Sequence, residues 1–229
     1  MSKKKSKAPI VILIIIILVA GLGIAAWNVL SQVNIITREA QKIVSMDITK
    51  DSVDTNIYSK GNYAVVEATM KSYIATYLYK LDEFENVLNQ DTFNNILSVD
   101  NLKADSPDFT ASLQYLESKR DDIETFASDL SEMNSQEKID EVWAGTGLNS
   151  FYKWIFDRMM IENITMDFYF SDAEIEEAKA DMLDQVDKKE AVINFLAQTS
   201  AGWTWEGDSI SFADDSLLQQ YTQLINSVG

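Results

Sequence analysis

Between Ala8 and Trp27 the chain runs for twenty residues, APIVILIIIILVAGLGIAAW, without a charge. A helix rises ~1.5 Å per residue, so a run of this length matches the roughly 30 Å hydrocarbon layer of a bilayer. Whatever the remaining residues form is therefore expected to begin at a membrane surface. Lys3, Lys4, Lys5 and Lys7 stand immediately before the run, against Arg38 and Lys42 just after it. That bias of positive charge predicts a cytoplasmic N-terminus and an outward-facing bulk.

A cleavable signal peptide is the competing pattern, because Gly21-Leu22-Gly23 and Gly23-Ile24-Ala25 place small residues at cleavage spacing. The apolar core of such peptides is usually ~7–15 residues, and this run stays apolar past both positions. A retained anchor is the expectation: a basic cytoplasmic tail over 1–7, a transmembrane signal anchor over 8–30, and an acidic extracytoplasmic domain over 31–229. Gly21 and Ala25 form a small-xxx-small pair, the spacing that lets two membrane helices approach closely.

Beyond the anchor, apolar residues recur at alternating steps of four and three. Val29, Val33, Ile36, Ala40 and Ile43 extend the membrane helix outward to about Asp47. A polar loop is expected over 49–62. Val66, Met70, Ile74, Tyr77, Leu81, Phe84 and Leu88 then mark a long amphipathic helix over 63–89, with Glu67 and Lys71 a favourable pair four apart. A short helix is expected over 92–102. Ser106-Pro107 reads as a cap and first-turn proline for a helix carrying Phe109, Leu113, Leu116, Ile123, Ala127 and Leu130. Asn134 and Glu137 repeat that logic for a short helix ending near Gly145.

The stretch over 148–170 is apolar enough to suggest a second span. It contains Lys153, Asp157, Arg158 and Glu162, and each would cost ~2.5–3.5 kcal/mol at the centre of an inserted helix. A buried core helix is the better reading. Ser171 and Glu174 form a capping box opening a helix to about Gln198. Trp203-Thr-Trp205 and Ile210-Ser-Phe212 alternate with period two around Glu206-Gly207-Asp208, which predicts a β-hairpin. A final helix is expected over 215–228. The predicted class is mainly α: a transmembrane helix continuing into an extracytoplasmic helical bundle with a small C-terminal hairpin.

Composition limits the chemistry. All 36 acidic residues follow Trp27, and the net charge is −17. Such a surface repels phosphate backbones, which argues against a nucleic-acid partner. Without Cys or His there is no disulfide, thiolate nucleophile, Cys/His zinc site or imidazole base. No glycine-rich phosphate loop occurs. Asp47, Asp51 and Asp54 lack the alternating ligands, central Gly and twelfth-position Glu of a calcium loop. Asn163-Ile-Thr165 matches a glycosylation sequon by chance inside an apolar segment. No catalytic, metal or cofactor-binding residue is expected.

Trp203, Trp205, Phe212 and Tyr221 are the aromatic cluster that either grips a partner or closes one end of the helical core. Met159, Met160 and Met166 are read as core filling. The functional expectation is a membrane-anchored interaction or scaffold module, with the bilayer and an unidentified protein as partners. The alternatives are a ligand-binding or sensory ectodomain, or an accessory subunit of a cell-envelope complex. A cell-envelope enzyme is a third.

Overall fold

The computed structural model describes residues 27–47, 51–160, 164 and 169–228. The expected anchor up to residue 26, with Gly21 and Ala25, lies outside the described residues, as do Met166 and, of the sequon, Asn163 and Thr165. Among the described residues no helix is long and apolar enough to cross a membrane.

The described chain is mainly helical, and its strands form one two-stranded antiparallel hairpin. It divides into two compact units, Met1–Ala75 with Asp140–Tyr169 and Thr76–Ile139 with Phe170–Gly229.

Among the described residues of unit 1, helix α1 covers residues 27–44. Ile36, Ala40 and Ile43, three of the positions that predicted this helix, are buried on one face. An irregular segment over 51–60 leads to α2 (Asn62–Asn86), whose first half belongs to this unit. There Val66, Met70 and Ile74 are fully buried. The end of α6 (Gln136–Ala144) supplies Trp143, which stacks at 5.0 Å on Phe156 of α7 (Ser150–Met159). Asn149 caps α7 by accepting the Phe151 backbone N–H at 3.1 Å. Ile155, Phe156, Met159, Met160 and Ile164 are buried as expected for a core segment, while Phe151 and Trp154 face outward.

Unit 2 contains the second half of α2, the short helices α3 (Asp91–Asn94) and α4 (Val99–Asp105), and α5 (Thr110–Asn134). It adds α8 (Asp172–Gln198), strands β1 (Trp203–Glu206) and β2 (Ser209–Phe212), and α9 (Asp215–Val228). Helices α5 and α8 pack along each other, and α9 packs on α8 and β2. Leu116, Ile123, Ala127 and Leu130 from α5 meet a core that includes Ile175, Val186, Val192, Ile193 and Leu196 from α8. The Ser171–Glu174 capping box is formed on both sides.

The single helix expected over 92–102 is instead two, α3 and α4, the second capped by Ser98. Two further helix starts differ from the sequence reading. Ser106-Pro107 does not open α5: the peptide is cis, and Ser106 ends α4 in extended backbone. The carboxylate of Asp105 instead accepts the backbone N–H groups of Ala111 (3.1 Å) and Ser112 (2.7 Å). It meets the need of a helix N-terminus for acceptors. Phe109 enters the helix with φ 51°, its ring fully buried. Likewise Ser135, not Asn134, caps α6, its hydroxyl accepting the Lys138 backbone N–H at 3.1 Å. The side-chain amide of Asn134 donates to the carbonyl of Phe170 instead.

Candidate functional site

Unit 1 contains a buried ionic network. Glu67, Glu39 and Lys71 are 0%, 5% and 3% exposed. In each helix the charge falls within the apolar stripe: Glu39 is three residues after Ile36 and four before Ile43, and Lys71 is three before Ile74. The Lys71 Nζ lies 2.8 Å from Glu39 Oε2, 2.9 Å from Glu67 Oε1 and 2.6 Å from the Asn56 carbonyl oxygen. An ammonium has three protons, so its capacity is filled.

The carboxylates are equally occupied. Glu67 Oε2 accepts from the Ser59 backbone N–H (2.8 Å) and hydroxyl (2.7 Å), and its carboxylate also takes the Tyr58 N–H. Glu39 Oε1 accepts from Lys42 Nζ at 2.6 Å. Nearby, Gln32 Oε1 accepts the Lys60 backbone N–H at 2.7 Å. The Tyr58 ring lies under both ammoniums, 4.9 Å from Lys71 and 5.1 Å from Lys42. Its hydroxyl donates to Asp54 at 2.8 Å.

Burial alone would push the Glu67 carboxyl up. Hydrogen bonds from Ser59, Lys71 and Tyr58 outweigh it and hold the group below its ordinary value. For Lys71, burial favours the neutral amine, yet Glu39 and Glu67 outweigh it and raise the pKa. Asp54 is held down to about 2 by the Asn56 backbone N–H and then the Tyr58 hydroxyl. These ions stay ionised across the neutral range. Their geometry leaves no free base, acid or nucleophile; it fastens the irregular 51–60 segment to α1 and α2.

Beside the network is a cleft of about 380 Å³ lined by Glu39, Lys42, Ile43, Met46, Ser52, Val53 and Lys71, with Asp51 and Asp54 at its wall. Asp47 and Asp51 are tied to each other's backbone, and Asp54 to that of Asn56. Among the described residues no group of three or more Asp or Glu side chains is placed to hold a metal ion.

Three Ser-x-x-Lys spacings appear in the chain: Ser2 to Lys5, outside the described residues, and Ser135 to Lys138 and Ser150 to Lys153 within them. Neither of the two described spacings forms an activated pair. The Ser135 hydroxyl serves as the α6 cap, and Lys153 Nζ is bound by Asp140 (2.8 Å) and Asp157 (2.8 Å), which raise its pKa.

In unit 2 the four aromatic candidates come together in two groups. Trp203 is buried against Phe109 (6.1 Å) and edge-on to Trp205 (5.9 Å), and its Nε1 donates to the Leu196 carbonyl at 2.8 Å. Across the register, Trp203 pairs with Phe212. Phe212 and Tyr221 lie 5.1 Å apart, each about 6.4 Å or less from Phe195 of α8. Burial pushes the Tyr221 phenol up. Gly202 admits the Leu217 side chain of α9 where a Cβ would stand 2.5 Å from its Cδ1. Gly207 takes φ +60° in the hairpin turn, a conformation glycine adopts without strain. Trp205 is half-buried beneath Lys103, whose Nζ is 5.4 Å from the ring centroid and 2.7 Å from Asp208.

The sequence reading singled out Glu67 and Lys71 as a favourable pair four apart without placing it in the core, and it missed Glu39 and Ser59. The signal was present: a glutamate inside the apolar stripe of α1 requires a buried cation, and Lys71 is the stripe-adjacent lysine of the next helix. No protein-family model, curated protein or solved structure matches this chain.

Proposed function

We propose that this chain is a membrane-anchored module whose helical part lies outside the cytoplasm and serves interaction or scaffolding. The observation that carries the reading is the uncharged run from Ala8 to Trp27, preceded by four lysines and running directly into α1. The buried network adds support, since its charged groups are used up in fixing backbone. The working surface in this reading is the helical part.

The test is crosslinking of the full-length chain in intact membranes, followed by mass spectrometry. One reproducible neighbouring protein is the expected result. A monomer with no neighbour, together with saturable small-molecule binding, would replace this reading by the ligand-binding ectodomain. The cleft at Glu39, Lys42 and Lys71 favours that second reading, because it places polar groups beside apolar ones in a concave site.

A further inference from the structure

We infer that one end of unit 1 is a seat on the outer lipid headgroup layer, formed where α1 leaves the bilayer. The inference rests on the membrane-anchored reading and deepens it. Its starting point is a segregation of charge. The first acidic residue of the chain is Glu39, and the stretches 55–66 and 142–156 also contain none.

The fold brings these three acid-free stretches to one place. Asn28 and Gln32 of α1, Lys60 and Tyr63, and Tyr152 of α7 line a single depression. The Tyr63 and Tyr152 rings meet edge-on at 5.1 Å within it. A second depression joins Val33 and Thr37 of α1 to Ile155, Arg158 and Met159 of α7. Early residues of α7 therefore sit beside the first described residues of α1, and later beside later, so the start of α7 is level with the first described turns of α1. The apolar run in the sequence ends at Trp27, the first described residue of α1.

At that level the exposed side chains are of the kind found at membrane interfaces. Trp27 is 76% exposed, Leu30 59% and Phe151 44%. Trp27 and Leu30 share one side of α1, three residues apart, while Phe151 lies beyond the side that carries Asn28 and Gln32. Aromatic rings, tyrosine hydroxyls and an exposed Lys60 suit the headgroup layer, where one end of each group is apolar and the other wet. Glu39 lies twelve residues further along α1, ~18 Å at helical rise. That is beyond a headgroup layer of roughly 5–8 Å on each side of the hydrocarbon. The nearest acid along α7 is Asp157, seven residues or ~10 Å past Ser150. It and Asp140 of α6 are both bound by Lys153; an anionic bilayer therefore meets the acid-free end first.

The chain has no native cysteine, so single cysteines can report position. The full-length chain is reconstituted in vesicles of phosphatidylcholine and phosphatidylglycerol and labelled with a fluorophore at Ile15→Cys, Phe151→Cys, Lys60→Cys or Ser45→Cys. Nitroxide lipids then quench at headgroup or acyl-chain depth. The expected result is acyl-chain quenching at position 15 and headgroup-level quenching at positions 151 and 60. A depth within ~5–10 Å of the headgroup and acyl boundary is expected for such a seat. Position 45, exposed at the far end of α1, should be quenched only by a water-soluble quencher. If position 15 is quenched but 151 and 60 behave like 45, the seat is refuted and the anchor stands. If position 15 itself is not quenched, the anchor reading fails. Labels at 151 and 60 shielded from both lipid and water would show a second copy covering this end, which also overturns the lipid seat.

Discussion

The interior of unit 1 holds Glu39, Glu67 and Lys71, whereas unit 2 is filled by side chains such as Leu116, Ile123, Leu130, Val186 and Ile193. Unit 2 also buries Lys119, but there the ammonium reaches the half-exposed Asp122 at 2.7 Å and lies near the Tyr115 ring. The difference follows from the backbone each interior must cover. Helices α5 and α8 satisfy their own N–H and C=O groups, so only apolar area has to be matched. The 51–60 segment of unit 1 has no ladder. Its Tyr58 and Ser59 N–H groups and its Asn56 carbonyl find partners in Glu67 and Lys71 instead. Buried ions here substitute for secondary structure.

The largest effects should come from breaking each interior in its own way. Lys71→Met leaves Glu67 buried without its cation and Glu39 with Lys42 alone, and breaking a buried pair in this way typically costs about 3–5 kcal/mol. Hydrogen exchange of the full-length variant should show protection lost over 51–60 together with a lower melting temperature. Wild-type protection in that segment would mean the network does not hold it. In unit 2, Trp203→Ala removes a buried indole and its hydrogen bond to Leu196, a loss of about 3–5 kcal/mol. Trp205→Ala should cost clearly less, because that ring is half-buried. Equal melting temperatures for the two alanine variants would contradict the asymmetry of the hairpin.

A pH series separates the two interiors further. Glu67 is held below its ordinary 4.5. Its contribution is intact above 4.5 and is lost as pH falls through the lower folded-state value. Lys71 is held above 10.5, so its contribution is intact below 10.5 and is lost as pH rises through the higher folded-state value. Exchange protection over 51–60 should therefore be flat through the neutral range and fall at both ends. Glu67→Gln should remove this group's share of the acid limb, whereas Trp203→Ala should leave the shape of the profile unchanged. The smallest effect is expected on the surface of unit 2. Asp187→Asn removes one of the two carboxylates that hold Arg120 Nη2, at 2.6 Å, while Glu190 stays at 2.9 Å. A change of roughly 0.2–1 kcal/mol is the expectation for such a pair, checked by denaturant titration.

The two units were also unequally legible in the sequence. In unit 2 the α8 capping box, its end at Gln198, the hairpin turn at Gly207 and helix α9 follow from local signals a few residues apart. The start of α5 did not, because Asp105 performs the capping that Ser106 seemed placed to do. In unit 1 the stripe of α1 was readable, and Glu39 within it signalled a buried cation without saying which one. Its partner lies 32 residues away, and helix periodicity carries no information at that separation. Exposed Phe151 was hidden for a related reason: a segment apolar enough for a core gave no sign of which ring would turn outward.

Orientation across the membrane is the premise on which the seat, the scaffold and the acid-free end all depend. Two single cysteines, Ser6→Cys and the exposed Ser216→Cys, can be treated in intact cells with a maleimide that does not cross membranes. The account predicts that the full-length protein stays in the membrane fraction, with position 216 labelled at once and position 6 only after lysis. Labelling of position 6 in intact cells with position 216 protected, or recovery of the labelled chain in the soluble fraction, would contradict it.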